Sequence, residues 1–171
     1  MANETYWKNY YKKHQRETHS SFAEKMLPFI KGSVIELGSG DNADVLFFQE
    51  HGLTAVGIDA IQGDSVEDWI RKYKSPEYVY TRFFWHSIDR PLQLEILDWV
   101  KDWLFIEART TEDILKVKTY NDHKRYYVDT AQLVDDLKSR HYQIIFLREG
   151  TGLSPYNEED PHLVRVIAKR N

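Results

Sequence analysis

The chain has 171 residues, one domain's worth, and a globule of that length buries ~70% of the surface its unfolded chain exposes. It contains no cysteine, which excludes a disulfide scaffold, a thiolate zinc site and a cysteine nucleophile. A net charge of −4 and a pI of about 6.0 argue against a nucleic-acid partner, and 14% aromatic residues exclude a disordered chain.

No apolar run approaches the roughly 18 residues of a membrane span, and residues 1–15 hold no apolar signal-peptide core. The expectation is a single cytoplasmic domain over 1–171, with helices in 1–31 and a sheet core in 32–171. Residues 4–14 place Trp7, Tyr10 and Tyr11 at helical spacing among lysines, an amphipathic opening helix. Ser21-Phe22-Ala23-Glu24 has capping-box form, with the Ser21 hydroxyl expected on the amide three residues on. Pro28 limits that second helix. Ser33-Val34-Ile35-Glu36-Leu37 reads as a strand that runs into Gly38-Ser39-Gly40. Residues 43–51 read as a helix closed by Gly52, and residues 54–59 as the next strand. Strand, glycine-rich turn, helix and strand make a βαβ unit with a parallel pair.

The alternation continues with a short helix over 65–73, a strand over 78–84, and a helix capped by Asp89 with Pro91 in its first turn. Residues 103–107 form another strand and residues 130–140 a helix. Strands at 142–147 and 163–168 follow with no helix between them, so they pair antiparallel. The expected fold class is α/β: an open, Rossmann-like, mostly parallel sheet ending in an antiparallel hairpin.

The segment 36–44, ELGSGDNAD, is the most informative in the chain. Glycines after a strand let the backbone pass close to a ligand, and the following helix start supplies free amides. Asp59, at the end of the next strand, is placed to accept both hydroxyls of an adenosine ribose. Two cofactor classes fit. Gly38-x-Gly40-x-x-Ala43 matches the dinucleotide fingerprint with alanine as its third member; S-adenosylmethionine is the other. Glu36 discriminates between them. A carboxylate repels a pyrophosphate but favours the ammonium and sulfonium of S-adenosylmethionine. Tyr11, Glu36, Gly38, Ser39, Gly40, Asp59 and Ala60 form the expected cofactor set, and no metal site is expected.

Through Val34-Ile35-Glu36-Leu37-Gly38-Ser39-Gly40, the Val56-Gly57-Ile58-Asp59 strand end and the final hairpin, the sequence resembles the class I S-adenosylmethionine-dependent methyltransferases. More closely, it is similar to small bacterial and phage-type members associated with surface-polysaccharide modification. The residues that carry this likeness are Trp7 to Tyr11, Asp44-Val45-Leu46-Phe47-Phe48, Arg82-Phe83-Phe84-Trp85-His86, and Arg148-Glu149-Gly150-Thr151-Gly152-Leu153 with Asp160-Pro161 and Arg165. The resemblance implies methyl transfer to a small-molecule or saccharide acceptor. One departure is clear: residues 60–77 hold room for one helix, where the family has a further helix and strand. The missing strand is an edge strand in the family's sheet, so the strand containing Val56 is expected at the edge. An exposed edge there offers a site for pairing with a second copy.

At the acceptor end, His86 lies just past the strand over 78–84 and is the expected base or acceptor-orienting group. His86, Arg109, His123, Lys124, Arg125 and Arg148 leave the carboxyl ends of the strands, which points to an anionic acceptor. Arg109, His123, Arg125 and Arg148 are the expected contacts, with the loop over 110–124 long enough to fold over a ligand. The competing reading pairs these cations with Glu107, Asp122, Asp129 and Glu149. Arg82 is expected to be buried and paired, Glu107 and Arg109 to be each other's partner, and Asp135-Asp136 to be a solvated face. Two alternatives to catalysis stay open: a nucleotide or dinucleotide module, and a catalytically idle partner subunit.

Overall fold

The computed structural model describes residues 2–14, 18–116 and 124–171. His123, with the rest of 117–123 in the loop expected to fold over a ligand, lies outside the described residues.

The strands are β1 Ser33–Leu37, β2 Thr54–Ile58, β3 Tyr78–Arg82, β4 Trp103–Arg109, β5 Tyr142–Gly150 and β6 Leu163–Arg170. They form one sheet in the order β2-β1-β3-β4-β6-β5. The first four run parallel, and β6 runs antiparallel to both β4 and β5. Among the described residues, only a 3-10 turn at Ala60–Gln62 and a short helix separate β2 from β3. The sheet therefore ends at β2, as the short interval requires, and Val56 is 45% exposed on that edge.

The helices are α1 Ala2–Lys13, α2 Ser21–Met26, α3 Ala43–Glu50, α4 Val66–Lys72, α5 Arg90–Trp99 and α6 Thr130–Ser139. Strand alternation sends side chains to two faces, and each face has its own core. Val79, Leu104 and Val166 pack under α4, α5 and α6 through Ile70, Leu97 and Leu137. Tyr80, Phe105 and Ile167 pack under α2 and α3 through Phe22 and Phe48. The bland helix-period pattern of α5 and α6 suffices for this, because each buries one stripe.

Two local expectations change. The cap of α2 is Ser20, whose hydroxyl accepts from Ala23 N at 3.0 Å, rather than Ser21. Ser20 is held in that place by buried Asp44, which accepts from its amide and its hydroxyl, each at 2.7 Å. Ser21 instead donates to Leu153 O at 3.1 Å. Asp136 is not part of a solvated face: it is 7% exposed and paired with Arg90, with Arg90 to Asp136 Oδ1 at 2.7 Å.

Candidate active site

A cavity of about 580 Å³ opens at the carboxyl ends of β1, β2 and β3. This is where an open α/β sheet holds its ligands, because the chain reverses its direction of winding there and leaves a crevice. Of the expected cofactor set, Tyr11, Glu36, Gly38, Ser39, Asp59 and Ala60 line the cavity, and Gly40 lies directly beneath Tyr11.

The turn after β1 is tight for identifiable reasons. Gly38 has φ +72, and a Cβ there would sit 2.2 Å from the Phe84 ring. Gly40 has φ +56, and a Cβ would sit 2.5 Å from the Tyr11 ring. The backbone therefore needs glycine both for its left-handed conformation and for the rings packed on it. Gly38 N donates to Ile58 O at 2.8 Å, which ties the turn to the end of β2. Asp59 completes the tie: its Oδ2 accepts from Gly40 N and its Oδ1 from Ile61 N, both at 2.9 Å.

Glu36 is 2% exposed on β1 and still reaches the cavity wall. It lies beside a second buried group. Burial pushes the Tyr80 hydroxyl well above its ordinary pKa, and the carboxylates of Asp44 and Glu36 add to that shift. Tyr80 donates to Asp44 Oδ2 at 2.8 Å, so one network joins β3, α3 and the start of α2. Ahead of α2, α1 lays Tyr6, Trp7, Tyr10 and Tyr11 along the cavity, with Tyr6 and Tyr10 rings stacked at 6.2 Å. These rings belong to the cavity wall, not to the core of the sheet.

The other end of the cavity is ionic. Arg82 is half-buried and donates to Glu107 Oε1 at 3.1 Å. Glu107 is fully buried and is also bound by Arg165 and by Ser154, at 3.0 Å from each carboxylate oxygen. Arg109 does not pair with Glu107. Its guanidinium reaches Asp113 at 2.8 Å and Glu159 at 2.6 Å. Burial opposes its charge, but the bonds to Glu159 and Asp113 outweigh that and raise its pKa. Arg109 and Arg125 both line the cavity. Arg148 does not. It is exposed on the edge strand β5, opposite Arg165, because the strand register carries it away from the crevice.

His86 is 3% exposed, in a 3-10 turn after β3, and lines the cavity. Its Nδ1 accepts from Arg109 N at 3.1 Å, and its carbonyl accepts from Tyr126 N at 2.7 Å. Phe83, just before it, has φ +53, an uncommon conformation for a bulky side chain. Arg82 and Arg109 lie over the Phe83 ring at 4.4 and 5.7 Å. The sequence reading missed Phe83, Tyr156 and Glu159 as wall residues. The consecutive aromatics Phe83-Phe84 were visible, but the backbone twist that aims one at Gly38 and the other at the arginines was not. Among the described residues no cluster of His, Asp and Glu is placed to hold a metal ion, and no helix is long and apolar enough to cross a membrane.

Sheet order, antiparallel last strand and the position of the crevice together define the Rossmann-like methyltransferase fold. No family model matches the sequence, and no curated protein matches it. Solved structures do. A SAM-dependent methyltransferase from Archaeoglobus fulgidus is 15% identical, with TM-score 0.64, over 86% of this chain and 92% of that one. The magnesium protoporphyrin IX methyltransferase of Synechocystis, solved with bound S-adenosylhomocysteine, is 10% identical, with TM-score 0.67, over 99% and 94%. TehB from Haemophilus influenzae is 12% identical, with TM-score 0.71, over 96% of this chain and 67% of that one.

Proposed function

We propose that this chain is an S-adenosylmethionine-dependent methyltransferase that O-methylates a small, saccharide-like, anionic acceptor. The observation that carries the reading is one cavity with two chemically different ends. At one end Glu36, the Gly38-Ser39 turn and Asp59 suit the cationic methionine part and the ribose of the cofactor. At the other, His86 and Arg125 face a space walled by aromatic rings. The residues present fit the cofactor: Ser39 Oγ is buried without a hydrogen-bond partner, and two carboxylates border a turn built for close backbone approach.

When bound, the cofactor supplies an activated methyl group and its own leaving group, so the protein's work is positioning. Asp59 holds the ribose and Glu36 faces the positive charge. The rings of α1 exclude water from the face opposite the sheet. Arg125 lines the same cavity as His86 and is the contact assigned to the acceptor's charge. The saccharide character follows from the sequence resemblance alone.

Isothermal titration of the full chain with S-adenosylhomocysteine and NAD tests the cofactor end. Binding of the first and not the second supports the reading; the reverse supports a dinucleotide module, which the Gly38-x-Gly40-x-x-Ala43 spacing favours. For the acceptor end, Arg125→Ala is expected to raise the KM of an anionic acceptor, and added salt to raise it in the parent. An acceptor that proves uncharged overturns the anionic part.

A further inference from the structure

The hydrogen bond from Arg109 N to His86 Nδ1 decides what His86 can do. A backbone amide is only a donor, so Nδ1 must present its lone pair. The neutral ring then carries its proton on Nε2. Adding a second proton at Nδ1 would set two N–H groups against each other in a site where His86 is 3% exposed. Arg82, Arg109 and Arg125 line the same cavity, while Glu107, Asp113 and Glu159 are engaged by Arg82, Arg165 and Arg109. The carboxylates Glu36, Asp59 and Glu67 also line the cavity, so the neutral ring follows from the Nδ1 contact and from burial. Segment 124–127 fixes the turn from the other side, through Tyr126 N to His86 O at 2.7 Å. The ring is therefore held in one tautomer by the Arg109 amide, while the Tyr126 amide holds the backbone that carries it.

We infer that His86 is a fixed Nε2–H donor rather than a base, and that the acceptor oxygen is already an anion at neutral pH: a carboxylate or phosphate oxygen. This rests on the methyl-transfer reading and narrows its acceptor. A hydroxyl acceptor must lose a proton as the new bond forms, and a ring protonated on Nε2 cannot take it. A carboxylate or phosphate oxygen needs no such step. It forms the O–C bond with its own lone pair, the S–C bond breaks with its electron pair going to sulfur, and the oxygen's negative and the sulfonium's positive charge both disappear. No proton moves. The Nε2–H group and Arg125 orient the oxyanion and hold its charge before transfer.

The test is nitrogen NMR of the ¹⁵N-histidine-labelled full chain, free and saturated with S-adenosylhomocysteine, between about pH 6 and 8, where an ordinary histidine titrates. His86, assigned by loss of its signal in His86→Gln, is expected to remain the neutral Nε2–H form throughout. Titration with benzoate or inorganic phosphate is expected to shift the Nε2–H signal, and benzyl alcohol to leave it in place. Comparison of the two anions separates a carboxylate site from a phosphate site. His86→Ala is expected to weaken the bound anion at least about fivefold, and His86→Gln, which keeps an N–H donor, to restore most of it. A proton on Nδ1, an imidazolium within that range, or a signal indifferent to both anions overturns the inference. Failure of S-adenosylhomocysteine to bind would instead count against the methyl-transfer reading, because the tautomer is read equally well in the free protein.

Discussion

Asp59 and Gly40, 19 residues apart, are joined by a 2.9 Å hydrogen bond from the Gly40 amide to the Asp59 carboxylate. The bond draws the turn after β1 against the end of β2, so the carboxylate assigned to the ribose also shapes the glycine turn. A carboxylate has roughly four acceptor sites, so holding the turn does not exclude accepting ribose hydroxyls.

Asp59→Ala removes both roles. Loss of charge-assisted hydrogen bonds should cost ~1.5–3 kcal/mol of cofactor binding, at least a tenfold weaker affinity for S-adenosylhomocysteine by calorimetry. A folded variant that binds as the parent does would remove Asp59 from the cofactor site.

Tyr11 covers Gly40 from outside the sheet. Tyr11→Ala should weaken S-adenosylhomocysteine by roughly three- to tenfold, in line with ~0.5–1.5 kcal/mol for an aromatic contact. The thermal midpoint should move little, since none of the described side chains of α1 belongs to either core. Unchanged affinity would assign α1 a role other than cofactor cover.

Gly57 is a different kind of glycine. A Cβ there would lie 2.1 Å from Asn42 Oδ1 and 2.4 Å from Ser39 Oγ. Gly57→Ala is expected to push the turn outward and destabilise the fold by ~1–3 kcal/mol, the usual cost of overpacking. Chemical denaturation measures the loss, and S-adenosylhomocysteine affinity should fall with it. A fully stable variant would show that the turn yields easily.

High pH should weaken the fold through its buried tyrosines. Burial pushes the Tyr142 hydroxyl up to about 12, where it donates to Leu97 O at 2.8 Å and Val100 O at 3.1 Å. In the unfolded chain a tyrosine ionises near ~10. Between those values the unfolded chain has released a proton that the folded chain retains, so stability falls as pH rises. Tyr142→Phe should make the decline in thermal midpoint above about pH 10 shallower. An unchanged slope would place the alkaline sensitivity elsewhere, with Tyr80 the next candidate, since burial raises it too.

The strands, the glycine turn and the shortened edge were all legible in the sequence. Short apolar runs such as residues 33–37 and the spacing of Gly38, Gly40 and Asp59 are local properties, and 60–77 is too short for a further helix and strand. The partners of the charged groups were not legible. Glu107 meets Arg82 and Arg165, 25 and 58 residues away, rather than Arg109 two residues on. Neighbours two apart in a strand share a face, but which cation arrives opposite is set by register and helix docking. For the same reason Ser20 takes the cap from Ser21 once Asp44 is packed beneath it, and Arg148 turns away from the crevice with β5. The sequence by itself determined the glycine turn that borders the crevice, because that turn is a run of backbone. Only the tertiary structure decided the proton position on His86, because that rests on one amide brought to it by a neighbouring strand.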